Sequence, residues 1–206
     1  MSELPKFFLA SSSPRRVEIL RRVGLPFQQV ERVPFDENAI QAQNPAEYAE
    51  KIAIAKVKNA IVPPDEEGIV LAFDTIVHID DDILGKPGSP EEAAAYLRRL
   101  SGRWHRVFTG VAARRIPDGQ VKSSVESSDV LFSELTEDEI ELYVASGEPM
   151  DKAGAYGIQE LGALLVRKVN GCFYNVVGLP LFCLTDVLSK VMINRADILR
   201  YCLTQR

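Results

Sequence analysis

The stretch Phe7-Phe8-Leu9-Ala10-Ser11-Ser12-Ser13-Pro14-Arg15-Arg16 decides the fold class. Its four apolar residues suit a buried first strand. Ser11-Ser12-Ser13 then reads as a turn, with Ser13 as helix N-cap and Pro14 at the first helical position. Val17, Leu20 and Val23 give that helix an apolar face, and Gly24 ends it. Strand, turn and capped helix in succession are the opening of an α/β chain.

The same alternation continues outward from this unit. A second helix is expected over Asn44 to Ile61, capped by Asn44, started by Pro45 and stopped by Pro63-Pro64. Val70-Leu71-Ala72-Phe73 suits a central strand that runs through Thr75-Ile76-Val77 to an acidic turn at Asp80-Asp81-Asp82. Ser89-Pro90-Glu91-Glu92 opens a third helix that Gly102 closes. Longer strands are expected around 104–116 and 121–132, joined by Pro117-Asp118-Gly119. Thr136 and Glu139 cap a fourth helix that ends near Gly147. Leu164 to Val169 and Phe173 to Val177 flank Asn170-Gly171, which predicts a tight hairpin. Helices are expected over Pro180 to Lys190 and Arg195 to Leu203. Hairpins mixed with helix crossovers predict an α/β fold with a mixed central sheet flanked by helices.

Composition narrows the functional classes. The chain has 206 residues, is 46% hydrophobic and 26% charged, and shows no repeat, which is the profile of a globular protein. No linker divides it, so residues 1–206 are expected to act as one domain. No apolar run is long enough to span a membrane, and Met1 to Leu9 does not read as a secretory signal. A net charge of −5 excludes the basic signature of a non-specific nucleic-acid binder but not a small anionic ligand. Cys172, Cys183 and Cys202 have no metal or disulfide spacing, and are expected to be reduced core thiols in a cytoplasmic protein.

Several residues sit where chemistry is expected. The serines at 11–13 and the helix N-terminus after them offer hydroxyls and free N–H groups to an anion. Arg15 and Arg16 lie in the first helical turn, where the helix dipole disfavours cations. They are either solvated, or there to meet a bound phosphate. This is not a phosphate-binding P-loop, since the turn has no glycine. Asp74 follows a hydrophobic run, at the end of a strand, and reads as a structural carboxylate, a metal ligand or a base for water. Lys56 borders the apolar stripe of its helix, and Lys86 lies in a rigid Gly85-Lys86-Pro87 turn. Glu37 is a further acidic candidate. Gln159 follows a small-residue segment, and its amide could read a base edge. His78 and His105 lack zinc spacing, and the pairs Arg98-Arg99 and Arg114-Arg115 read as solvated faces.

Taken together, these residues resemble the Maf family of nucleotide pyrophosphatases. The resemblance runs through Leu9 to Arg16 with Glu18-Ile19-Leu20, then Asp36-Glu37, Lys56, Phe73-Asp74-Thr75-Ile76-Val77 and Gly85-Lys86-Pro87. It continues through Ser101-Gly102, Asp151-Lys152-Ala153-Gly154-Ala155-Tyr156-Gly157-Ile158-Gln159 and Val177-Gly178-Leu179-Pro180-Leu181. Residues from about 191 to 206 are expected to be an extension of this chain.

The resemblance implies two lobes around a nucleotide-binding cleft, of the Maf/ITPase-like kind, and hydrolysis of a nucleoside triphosphate to monophosphate and pyrophosphate. It implies a divalent cation, Mg²⁺ or Mn²⁺, with Glu37 and Asp74 as its candidate ligands. Asp74 matches the family's proton acceptor, and Arg15, Lys56 and Lys86 match its phosphate-handling residues. Ser11 and Arg16, beside them in the turn, are further expected substrate contacts. Arg15, Thr75 and Gln159 match the branch acting on dTTP and UTP, where a branch acting on 7-methyl-GTP has Trp, Gln and Glu. The expected partner is thus a nucleotide rather than a nucleic acid or a membrane, with a homodimer compatible with the resemblance. The rival readings are a 7-methyl-GTP pyrophosphatase and a nucleotide-binding regulator of cell division without turnover.

Overall fold

The computed structural model describes residues 5–191 and 193–204. The expectations that concern Met1 and the end of the extension at Arg206 fall outside those residues. Strand β1 (Phe7–Leu9) is wholly buried and pairs in parallel with β2 (Gln28–Gln29) and with β3 (Gly68–Ile79). Helix α1 (Pro14–Val23) makes the crossover between β1 and β2 and stops at Gly24, which takes the left-handed conformation. Ser13 is the N-cap residue as expected, but its hydroxyl makes no capping bond.

Beyond β3 the sheet becomes antiparallel. β3 pairs with β4 (Asp82–Leu84) and β5 (Trp104–Ile116), β5 with β6 (Val121–Phe132), and β6 with β7 (Val166–Asn170). The order is β2-β1-β3-β5-β6-β7, with β4 attached to β3, so the sheet is mixed. One edge of β3 is taken by β5 along nearly its whole length. The other edge is shared: β1 covers Ile69 to Leu71 and β4 covers Val77 to Ile79. Among the described residues, no strand pairs with residues 72–76 on that edge. This gap in the sheet positions the site.

Packing follows the alternation along β3. Ile69, Leu71 and Phe73 join α1, α6 (Leu181–Ser189) and α7 (Arg195–Thr204) in one hydrophobic cluster. Further along the same face, Val77 and Ile79 join α3 (Pro90–Leu100) and α4 (Glu137–Ala145) in a second. The gap lies at the boundary between these two lobes. On the opposite face, Val70 and Ala72 pack on Ala53 and Val57 of α2 (Pro45–Lys58). Helix α2 lies close on the sheet because Gly110 of β5 has no side chain. A Cβ there would fall 2.2 Å from the Ala49 carbonyl oxygen.

Four local expectations change. The second helix ends at Lys58, because Ala60 bridges Arg32 in extended pairing and the Ile61 N–H donates to the Glu31 carbonyl. Phe173–Val177 is a helix, α5, and not the second arm of a hairpin. Its turn carries Asn175 into the sheet, where the amide donates to the Val107 carbonyl and to Ser128 Oγ, each at 3.0 Å. Of the cysteines only Cys183 is fully buried. Arg114 is half-buried and donates to the Ala60 carbonyl instead of facing solvent. Among the described residues, no helix is long and apolar enough to cross a membrane.

Candidate active site

A cleft of about 650 Å³ opens beside the β3 gap, a size typical of small-ligand sites. Its walls come from the β1–α1 turn, the residues around Glu37, α2, the β4–α3 loop and the turns near Gln159. Every sequence-predicted site residue lines it: Ser11, Arg15, Arg16, Glu37, Lys56, Asp74, Thr75, Lys86 and Gln159. The sequence places Asp74 at a strand end, whereas it sits in mid-strand, opposite Gly110. It is the neighbour β1 that ends, which leaves the Asp74 segment open on one side.

Asp74 points to the α2 face. Its Oδ1 accepts from Lys56 Nζ at 2.5 Å, and the same ammonium lies 3.1 Å from Glu37 Oε1. The Lys56 and Asp74 side chains are 11% and 13% exposed, so neither charge is well hydrated and each depends on the other. Glu37 is more open and belongs to a short 3₁₀ turn that Asp36 caps. Lys56 reaches this position because α2 buries Ala49, Ile52, Ala53 and Lys56 on one side.

Thr75 points to the other face, and a chain of hydrogen bonds begins there. Its hydroxyl accepts from Arg16 Nη2 at 3.0 Å and lies 3.0 Å from Thr109 Oγ1, which donates to the Asn175 carbonyl. Arg16 also donates to the Gly178 carbonyl at 2.8 Å and to Ser11 Oγ at 3.3 Å, and stacks on Phe73. Gly178 has φ +106°, and a Cβ there would lie 3.0 Å from Thr75 Oγ1, so the close approach requires glycine. Burial lowers the Arg16 pKa to about 10, although the Asp74 charge opposes the shift. Arg16 is therefore bound into the cleft wall. Arg15, one residue earlier, has one ion pair among the described residues, 3.2 Å to exposed Asp151. Lys86 is exposed, on a loop tied down by the Gly154 N–H donating to the Gly85 carbonyl. The Gln159 amide has no hydrogen bond among the described residues.

Residues 6–191 match the family described as Maf-like protein. The chain belongs to the Maf family. A dTTP/UTP pyrophosphatase of Dictyoglomus thermophilum is 44% identical over 186 residues, covering 90% of this chain and 96% of that protein. Proteins with the same name from Moorella thermoacetica and Symbiobacterium thermophilum are 46% and 47% identical. They cover 90% and 91% of this chain, and 95% and 94% of their own length.

The carboxylate set of this Maf protein fits a hard divalent cation that arrives with phosphate. Glu37 and Asp74 are hard oxygen donors of the kind a divalent cation takes, and the Lys56 ammonium lies 3.1 Å and 2.5 Å from them. Among the described residues, no group of three or more His, Cys, Asp or Glu could hold a metal by itself.

The structure also adds cleft residues that the sequence reading missed. Tyr48 lines the cleft and donates to the Glu37 carbonyl at 3.3 Å. Burial raises its pKa, as do the nearby Glu37 and Asp74 charges. Its spacing, four before Ile52 and eight before Lys56, could have placed it on that face of α2. Lys152 is buried and donates to Asp151 at 2.8 Å and to the Glu148 carbonyl at 2.7 Å, an arrangement the small-residue pattern did not reveal. Arg32 lines the cleft from a loop that carries no local signal.

Proposed function

We propose that this Maf protein hydrolyses dTTP and UTP to the monophosphate and pyrophosphate. The observation that carries this is Asp74, placed in the open segment of β3, bound by Lys56 and facing a cleft whose other walls carry Arg15 and Lys86. The similar proteins named dTTP/UTP pyrophosphatases support the choice of nucleotide.

Asp74 accepts a proton from a water that attacks the α-phosphorus. The bond from that phosphorus to the bridging oxygen breaks, and pyrophosphate leaves with the electron pair. Lys56 holds the Asp74 carboxylate in place and, with Arg15 and Lys86, offsets charge on the phosphates, most strongly in the transition state. Glu37 and Asp74 would hold the divalent cation, which supplies Lewis-acid stabilisation of the phosphate oxygens when bound. Gln159 faces the base with a free amide, whose donor and acceptor suit the edge of uracil or thymine. Ser11, Arg16 and Thr75 mostly bind one another, so they shape the wall behind the phosphates. In this reading residues 1–206 act as one cytoplasmic unit, with residues 191–206 as an extension whose Val191, Ile193 and Ile198 join the cluster shared by α1 and α6.

The test is turnover by the purified protein with Mg²⁺ or Mn²⁺. It is given dTTP, UTP, CTP, GTP, ATP and 7-methyl-GTP, with monophosphate and pyrophosphate measured. Preferential cleavage of dTTP and UTP is the expected result. Cleavage of 7-methyl-GTP alone would overturn the base assignment, and binding without any turnover would overturn the hydrolase.

A further inference from the structure

We infer that Arg32 is a phosphate-binding residue for the pyrophosphate end of the nucleotide, a role that rests on the proposed pyrophosphatase reading. Its backbone is fixed: Arg32 bridges Ala60, and on either side the Val33 N–H donates to the Asn59 carbonyl and the Ile61 N–H to the Glu31 carbonyl. Its side chain is half-buried and lines the cleft. Among the described residues it has no hydrogen bond, ion pair or ring contact. The other arginine and lysine side chains buried or half-buried in the cleft differ. Arg15 pairs with Asp151, Arg16 binds three protein oxygens, Lys56 holds Asp74, and Lys152 holds Asp151.

A partly desolvated guanidinium beside like charge is costly unless an anion meets it. Arg32 lies close enough to Arg16 for its charge to help lower the Arg16 pKa. Position along the cleft selects the anion. Arg32 also lines a second concavity together with Ser11, Ser12 and Glu37, and neither Lys152, Tyr156 nor Gln159 borders it. Arg32 thus lies at the end away from the amide proposed for the base. A phosphate chain that starts at a base near Gln159 and passes Asp74 ends here. Guanidinium geometry suits two oxygens of a terminal phosphate.

The experiment compares wild type with Arg32→Ala and Arg32→Gln. KM and kcat for UTP, product inhibition by pyrophosphate, and the pyrophosphate-induced rise in Tm are measured. Losing one charge-assisted contact should raise KM and weaken pyrophosphate inhibition by about tenfold, with the UTP to CTP preference unchanged. Arg32→Lys, which keeps the charge but not the fork, should recover part of the loss. A change below about threefold in both variants, where loss of a charged hydrogen bond predicts tenfold or more, overturns the inference. The Tm shift needs no turnover. If wild type binds pyrophosphate but cleaves no nucleotide, the pyrophosphatase reading fails, while the shift still decides Arg32.

Discussion

Asp74 and Thr75 are consecutive residues of β3, yet the two faces they serve are built differently. On the Asp74 face, Lys56 is shared between two carboxylates, one of them largely exposed, and the group opens on the cleft. On the Thr75 face, hydrogen bonds run from Ser11 through Arg16, Thr75, Thr109 and Asn175 to Ser128, all within the protein. The first arrangement can change partners when a phosphate or cation arrives. The second cannot do so without leaving buried polar groups unpaired. Arg15 and Arg16 repeat the contrast within α1: one holds a single exposed partner, the other three protein oxygens.

The comparison breaks or sharpens on substitution. Asp74→Asn keeps the shape but not the proton acceptor, so kcat should fall by about 10²–10⁴-fold with the fold retained. Steady-state kinetics with a thermal melt check both halves. Arg16→Ala removes three bonds and should cost about 3 kcal/mol of stability. In a chain of this size that lowers Tm by about 6–12 °C. Arg15→Ala should leave Tm within about 4 °C, because an exposed pair contributes about 0–1 kcal/mol, while raising the KM for UTP. Equal melting losses in the two variants would erase the distinction between them.

The second lobe supplies a pH test. Burial pushes the His105 pKa down to about 4, only partly opposed by Asp129, while the ring bonds the Tyr156 hydroxyl at 2.7 Å. The unfolded chain therefore binds the extra proton between pH 6.5 and pH 4. This stability is complete above pH 6.5 and is lost as pH falls toward 4, by about 2 kcal/mol at pH 5. Denaturant titrations of wild type and His105→Gln should show a shallower acid loss in the variant. The smallest effect expected is on base choice: Gln159→Glu should reduce the UTP preference over other nucleotides by about tenfold, the scale of one altered hydrogen bond. Unchanged selectivity would remove Gln159 from the base site.

Much of this contrast was legible in the residues. Pro14 after three serines announced the β1–α1 turn, whereas Lys56 read only as a residue bordering the α2 stripe and is buried on the sheet side. The packing reason for Gly110 and Gly178 was not readable, because each is required by a neighbour remote in sequence. Phe173–Val177 reads as a strand from its branched and aromatic residues. The helix follows from bonds made by Asn175 to other strands, which no five-residue window contains. The gap beside Asp74 was also hidden, since it depends on where β1 and β4 stop along a longer partner. Arg15 and Arg16 were equally out of place at a helix N-terminus. Only the fold separates Arg15, open to the cleft, from Arg16, which braces the wall.

The most direct test of the role proposed for Asp74 is hydrolysis of UTP in ¹⁸O-labelled water by wild type and Asp74→Asn, with both products weighed by mass spectrometry. Attack at the α-phosphorus puts the label in UMP, with pyrophosphate unlabelled and the rate lost in the variant. Label in the pyrophosphate, or full turnover by Asp74→Asn, would contradict it.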